Sequence, residues 1–553
     1  MAIYTLLSTF KVTDFLILIG FSFIVYVCQF YYKYFTRPNK LPGPIPLPFL
    51  ECSYLLTGNS KQLFMSLQEK YGDICEFYLT GSRRIVISRP DYIEKILTPS
   101  SKDTTFMLRF PYFEGLVELG VSGRGIISNH DIKSWRFNRQ FFDNAVLKPS
   151  FNNEAVEWSN ILTQELEKYW ESLGKLSLSN DNLQDHEWSL ETDITKWAHR
   201  FACDMITIVI TGERSYSMAS HHNAFNPVKI THSDTVIEDS EKFIQGFKNH
   251  LAGFILFLYF NPFLRHYAPF VKDQVKATLD NRDYLFEILD TMIKKRRQEI
   301  EEMPVGTELK NDMLTSLIIT NTERDVSRVN FARDNIFRPM TDVEIRGNLL
   351  DSFQGGIDTT ANTFSFIVYY VCQHPKVKQK MIDEIDSIFP PNTSYHLKYD
   401  DLLKLEYCDA IINEVSRLHP IVIELQRYVK NPCEIAGYRF EAGTVIHINT
   451  NGIHTHKDHW PNPEIFDPDR FYKKSETKNM NNKVRHKFSL LTFGGGLRIC
   501  PGRRLAMIEL LSLMVILFGK HDVELVDMNA KLNVNYAATT TCEELPIKIK
   551  LRK

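Results

Sequence analysis

The chain has 553 residues, 44% apolar and 24% charged, the make-up of an ordinary globular protein with ample material for a core. A formal net charge of −2 argues against nucleic acid as a partner of the whole chain. Nine scattered cysteines, odd in number and without a CxxC spacing, argue against a disulfide framework or a zinc cluster and fit a reduced, cytosol-facing domain.

Taken in chain order, the first element is an uncharged run from Phe15 to Tyr32. As a helix it spans about 27 Å, close to the thickness of a bilayer's hydrocarbon. It is long, rich in bulky aromatics and lacks a small-residue cleavage site, so residues 1–32 read as a single-pass membrane anchor, its transmembrane helix at about 15–32, rather than a cleaved leader. Lys33, Arg37 and Lys40 follow the run while only Lys11 closely precedes it, which places the bulk of the chain on the cytosolic side. Tyr31 and Tyr32 fall where an interfacial aromatic belt would. Residues 33–50 read as a basic, Pro-rich hinge, with alternating prolines from Leu41 to Pro48 stiffening an extended spacer.

Residues 51–553 show no internal repeat and no clear linker, and read as one domain. Thr105–Phe113 is rich in aromatics. Phe254–Phe260 is apolar but too short to span a bilayer, and is either a buried helix or a segment that dips into a membrane surface. The polar stretch 321–340 reads as a surface loop. Thr341 and Glu344 form a capping box that opens a helix running to about Gln373, roughly 45–50 Å long. Pro375 suits the first turn of the next helix, which carries Val377, Met381, Ile385 and Ile388 on one face. A further helix covers about Asp409 to Leu418 and stops before Pro420. Then the period changes. Ile435–Phe440 and Thr444–Ile448 read as strands joined by Glu441–Gly443, and the chain from about His521 reads as strands. The fold class is mainly α (α+β), a large helical domain with small sheets.

Two segments stand out chemically. Phe493–Gly502 holds three consecutive glycines before Cys500, which makes sense where the backbone must turn tightly beside something large and flat. A helix beginning just past Cys500 would supply the N–H donors and positive potential that keep a thiolate deprotonated. Gly355–Thr360 places two glycines and two threonines in the middle of the long helix, where Thr359 can bond back to the Gly355 carbonyl.

The cysteine segment resembles the FxxGxRxCxG haem-binding signature of the cytochromes P450, matched at Phe493, Gly496, Arg498, Cys500 and Gly502. The resemblance extends to a WxxxR pair (Trp135, Arg139), a GGxDT motif (Gly355 to Thr359), an ExxR pair (Glu414, Arg417) and a PxRF segment (Pro468–Phe471), in the family's order and over about 130–502. Asp469 stands where glutamate is common, and the polar insert before the long helix is longer than expected. The resemblance implies the cytochrome P450 fold and haem b, with Cys500 as axial ligand to the iron. It implies that Trp135, Arg139, Arg427 and Arg498 bond the haem carboxylates, that Thr359 holds a water beside dioxygen, and that Asp358 carries protons from bulk solvent. Glu414, Arg417 and Arg470 would form a buried structural network.

The implied activity is insertion of one atom of O2 into a lipophilic substrate such as a fatty acid, sterol or terpenoid. No GxGxxG fingerprint is present, so NADPH would act indirectly, through a separate FAD- and FMN-carrying reductase, with cytochrome b5 as a second donor. Lys483, Arg485, Lys487, Arg503 and Arg504 form a candidate basic docking patch. The implied location is the endoplasmic reticulum membrane. The alternatives are a haem-thiolate isomerase or dehydratase that rearranges a hydroperoxide without O2, and a non-enzymatic haem-binding sensor or carrier.

Overall fold

The computed structural model describes residues 11–57, 59–98, 103–147, 149–180, 188–325, 338–390, 395–472 and 485–552. Nine helices bear on the site: α1 (Val12–Thr36), α2 (Ile132–Val146), α3 (Pro149–Asn180), α4 (Ile194–Thr211), α5 (Ser240–Tyr259), α6 (Val271–Glu302), α7 (Asp342–Gln373), α8 (Glu406–Leu418) and α9 (Arg503–Lys520).

The long helix α7 organises the core. Its capping box forms as expected: the Glu344 N–H donates to Thr341 Oγ1 at 3.3 Å, and the Thr341 N–H donates to the Glu344 carboxylate at 2.9 Å. Helix α4, buried along nearly its whole length, lies against it. Gly356 sets the separation, since a Cβ there would sit 2.7 Å from Ile206 Cγ1. Helix α8 starts three residues before the expected Asp409. The Glu384 carboxylate accepts the Tyr407 and Cys408 N–H groups at 2.6 and 2.9 Å, and so caps the helix from a distant segment.

Four strands, β1 (Ile74–Leu79), β2 (Ser82–Ile87), β4 (Glu424–Tyr428) and β7 (Val445–Asn449), form a sheet in the order β1-β2-β7-β4, parallel only between β2 and β7. A second, antiparallel sheet is ordered β3 (Ser189–Asp193), β9 (Pro546–Leu551), β8 (His521–Leu525). The run Ile435–Phe440 is not the single strand expected. Ala436 and Gly437 take φ of +51° and +80°, folding a tight hairpin between β5 (Cys433–Ile435) and β6 (Tyr438–Phe440). Strand β7 leaves that hairpin to join the larger sheet.

Helix α1 extends past both ends of the expected 15–32, is long and apolar enough to cross a membrane, and buries no residue. The proline segment after it is docked rather than free. Leu41, Pro44 and Pro46 are buried, and the Glu76 N–H donates to the Pro42 carbonyl at 2.9 Å. The apolar run 254–260 forms the end of α5, with Phe257 buried and Ile255 exposed. Much of the polar stretch, 326–337, lies outside the described residues.

Candidate active site

Cys500 sits in a loop closed by its own N–H, which donates to the Phe493 carbonyl at 3.0 Å. Gly494 and Gly496 hold φ of +74° and +70°, and a Cβ on Gly496 would meet the Leu97 carbonyl oxygen at 2.8 Å. His454 Nε2 accepts the Leu491 N–H at 2.8 Å, which pins the start of the loop. An accepting Nε2 requires neutral imidazole, and burial, helped by Arg417, pushes the His454 pKa down to about 3. Burial pushes the Cys500 thiol up, while the Gly502 N–H and the charges of Arg139, Arg109 and Arg503 pull it down. Among the described residues no group of three or more His, Cys, Asp or Glu could hold a metal ion.

Beside this loop lies a cluster of arginines. Arg498 is buried and donates to three backbone carbonyls: Met107 (2.8 Å), Ile126 (2.6 Å) and Asn129 (3.4 Å). Burial, then the charges of Arg109, Arg427 and Arg139, hold its pKa well below the usual range. Arg427 on β4 is 3% exposed, and its one hydrogen bond to a described residue runs to the carbonyl of its neighbour Gln426, at 2.8 Å. Burial, then Arg109, push its pKa down to about 9. The facing carboxylate, Asp351 of α7, accepts the Ile126 and Ile127 N–H groups at 2.5 and 2.8 Å, and burial raises it to about 6. A cavity of about 370 Å³ opens here, lined by Phe106, Met107, Arg427, Gly495, Gly496 and Arg498 among others. Four clustered arginines against so little negative charge fit a large ligand bearing carboxylates.

Trp135 and Arg139 are placed beside this cluster. Trp135 Nε1–H donates to the Ile126 carbonyl at 3.1 Å, and Arg139 reaches the Ile499 carbonyl and Asp143, both at 2.9 Å. Buried donors must find acceptors, and here the loops supply carbonyls.

Asp351 fixes which face of α7 looks at the cluster. Gly355 lies one turn and Thr359 two turns further along that face. A Cβ on Gly355 would meet nothing within 4 Å. Thr359 Oγ1–H donates to the Gly355 carbonyl at 2.6 Å, as the motif predicts. Asp358 does not face bulk solvent. Its carboxylate is buried, with Oδ1 3.2 Å from His199 Nε2 on α4, because α4 covers that side of α7.

The structural network forms in full. Arg417, fully buried, clasps Glu414 at 2.8 and 2.7 Å, and Arg470 Nε approaches the same carboxylate at 3.4 Å. The basic patch is smaller than expected. Arg485 turns inward, its guanidinium 4.7 Å from the rings of both Trp460 and Phe471, and Lys487 pairs with Glu94 at 2.6 Å. Arg503 and Arg504 stand exposed and, with Phe493, Phe471, Met507 and Leu403, line a hollow of about 380 Å³. Lys483 lies outside the described residues.

Sequence reasoning missed Arg109, Asp351 and His199. Arg109 was legible only as one charge within an aromatic run.

The site is thus a half-buried cysteine just ahead of α9 in a mainly helical body, with arginines gathered beside it. The cytochrome P450 family model matches residues 41–551, and the chain belongs to the cytochrome P450 family. Similar proteins include cytochrome P450 3A9 of Rattus norvegicus, 26% identical over 91% of this chain and 90% of that protein. Cytochrome P450 3A13 of Mus musculus is 26% identical over 93% and 88%, and thromboxane-A synthase of Mus musculus 25% identical over 86% and 85%. Membership makes the chain a haem-iron monooxygenase of a membrane-associated kind.

Proposed function

We propose that the chain inserts one atom of O2 into a lipophilic substrate, taking electrons from NADPH through a separate flavin-bearing reductase, with cytochrome b5 as a second donor. In balance, RH, O2, NADPH and H⁺ give ROH, H2O and NADP⁺. The observation that carries this reading is the pairing of half-buried Cys500 with a cluster of arginines in which Arg427 and Arg498, both buried, make no ion pair among the described residues. Cys500 would be the iron ligand. Arg109, Arg139, Arg427 and Arg498 would face the two haem carboxylates, with Trp135 supporting Arg498 from below. Phe493, Gly496 and Gly502 would shape the loop that carries Cys500 past the ring. Bound there, haem supplies an iron whose thiolate ligand donates the electron density that favours O–O cleavage.

The chain's own contribution on the distal side is proton handling. Thr359 commits its hydroxyl hydrogen to the Gly355 carbonyl, so its lone pairs accept from a water above Gly355. Asp358, the adjoining acid, supplies the proton to that water. The Phe110 and Phe254 rings meet at 6.0 Å, joining the aromatic segment to the end of α5 as an apolar wall that suits a fatty acid, sterol or terpenoid. Arg503 and Arg504 at the rim of the hollow would meet an acidic reductase surface. Helix α1 would hold the protein in the endoplasmic reticulum membrane with its body in the cytosol.

The test is a carbon-monoxide difference spectrum of the reduced protein. A strongly red-shifted Soret band supports the thiolate reading, and a band at the histidine-ligated position overturns it. The rival reading, a hydroperoxide isomerase or dehydratase, draws on the similarity to a relative named as a synthase. It predicts product from a hydroperoxide without O2 or reductase, and the intact Asp358–Thr359 pair weighs against it.

A further inference from the structure

We infer that Asp351 is a positioning residue for the arginine cluster that faces the haem carboxylates: one oxygen of its side chain ties the loop at 125–127 to α7 and so aims the Ile126 carbonyl at Arg498 and Trp135. This rests on the reading of Arg498 as a partner of a haem carboxylate.

One peptide unit links the two sides. The Ile126 carbonyl accepts from Arg498 at 2.6 Å and from Trp135 Nε1–H at 3.1 Å. The N–H of the same unit, that of Ile127, donates to Asp351 Oδ2 at 2.8 Å. In a trans peptide these two groups point in opposite directions, so holding the N–H fixes where the carbonyl points. The Ile126 N–H, from the unit before, donates to the same oxygen at 2.5 Å. Among the described residues these two are the only hydrogen bonds between α7 and residues 123–131. Bonds at both ends of one peptide unit polarise it in the same sense, so each strengthens the others.

The loop is shaped to reach the carboxylate. Gly125 takes a φ of +62°, and a Cβ there would fall 2.3 Å from Asp351 Oδ2 and 2.8 Å from the Gly347 carbonyl oxygen. A Cβ on Gly347 would in turn meet the Gly125 nitrogen at 2.9 Å. Loop and helix therefore touch, with no room for a side chain on either. Asn129 secures the loop from its other end, donating to the Gly125 carbonyl at 3.2 Å and to Ser134 Oγ, near the start of α2, at 2.9 Å.

Nothing on the outward side of Asp351 competes for it. The pit there holds about 10 Å³, no more than a single water needs. Its two arginines are committed elsewhere: Arg124 donates to the Gly120 carbonyl at 3.0 Å, and Arg346 to Asp290 of α6 at 2.5 Å. Burial raises the carboxyl to about 6, against the two N–H bonds and the charges of Arg109 and Arg498, which lower it. Because a single oxygen takes both N–H groups, the tie needs an acceptor rather than a charge.

The test measures how fast the full-length haem protein gives up haem to excess apomyoglobin. Asp351→Leu removes the acceptor and should speed release about tenfold, the effect of losing a charge-assisted hydrogen bond. Asp351→Asn keeps an oxygen in place and should stay within about twofold of the parent, a rescue that packing alone would not give. Gly125→Ala leaves the carboxylate intact but pushes the loop off α7, so it should match Asp351→Leu, and it serves as the probe if that variant fails to fold. Arg498→Lys loses the fork that reaches the loop carbonyls. Asp351 acts through that fork, so adding Asp351→Leu to Arg498→Lys should change release by less than about twofold. Parent-like release in Asp351→Leu or Gly125→Ala, release in Asp351→Asn as fast as in Asp351→Leu, or full additivity with Arg498→Lys overturns the inference while leaving the role of Arg498 standing. Haem held as firmly in Arg498→Leu as in the parent removes the role of Arg498, and the inference with it.

Discussion

Arg498 and Trp135 are coupled through a third group. The guanidinium lies 4.2 Å from the centre of the indole ring, and both side chains donate to the same carbonyl, that of Ile126. Trp135→Phe keeps the ring but loses one donor, so thermal stability should fall by about 1 kcal/mol with haem content little changed. Arg498→Leu strands three carbonyls and removes a charge from the cluster. It should lose haem, measured as haem per protein after gel filtration. Equal effects of the two changes would show that the ring matters only as packing.

Arg427 should behave oppositely in the two states. A buried cation without a carboxylate partner costs the haem-free fold stability. Arg427→Leu should therefore melt higher than the parent without haem, yet bind haem about tenfold or more weakly. A lower haem-free melting temperature would contradict this reading.

Glu414 and Arg417 form an ion pair with no exposure at all. Removing one partner, as in Arg417→Leu, leaves a buried charge and should cost about 3–5 kcal/mol. Soluble yield and the denaturation midpoint would report it.

Glu509 on α9 is 1% exposed, with Oε2 unpartnered among the described residues, and burial alone raises its pKa well above the ordinary value. The folded chain therefore keeps a proton that the unfolded chain releases. The stability this group contributes is complete below its unfolded value, near 4.3, and is lost as pH rises toward the folded one, at up to about 1.4 kcal/mol per unit. Glu509→Gln does not titrate. Its melting temperature relative to the parent should climb as pH rises above about 4.3, and a constant difference would rule the effect out.

Thr359→Ala removes the oxygen proposed to accept from a water above Gly355. Product per NADPH should fall several-fold, with hydrogen peroxide released in its place, while the Soret band is retained. Unchanged coupling would remove the role given to this hydroxyl.

Much of the frame was readable from local chemistry. The capping box at Thr341, the back-bond of Thr359 and the glycine turn before Cys500 depend on residues within a few positions of one another, and each formed as read. What escaped was long-range or directional. The His199–Asp358 contact joins residues 159 apart, which no local pattern encodes. Arg485 looks like a surface cation in sequence, and only the placement of Trp460 and Phe471 turns it inward. The Ala436–Gly437 turn was hidden because alanine rarely takes a positive φ, and the apolar run around it masked the break.

The end of α1 is riveted to the sheet. Arg37, just past the helix, bonds Glu76 on β1 at 2.6 Å; Arg83 on β2 grips the same carboxylate at 2.6 Å, and the Asn39 carbonyl accepts from Arg83 at 2.6 Å. A Cβ on Gly43 would fall 1.8 Å from the Glu76 carbonyl oxygen, so the intervening strand lies flush with no slack. A stem joined in this way is a lever rather than a tether. Any tilt imposed on the helix becomes a tilt of the whole body, so the flank that meets a lipid surface is decided by the fold.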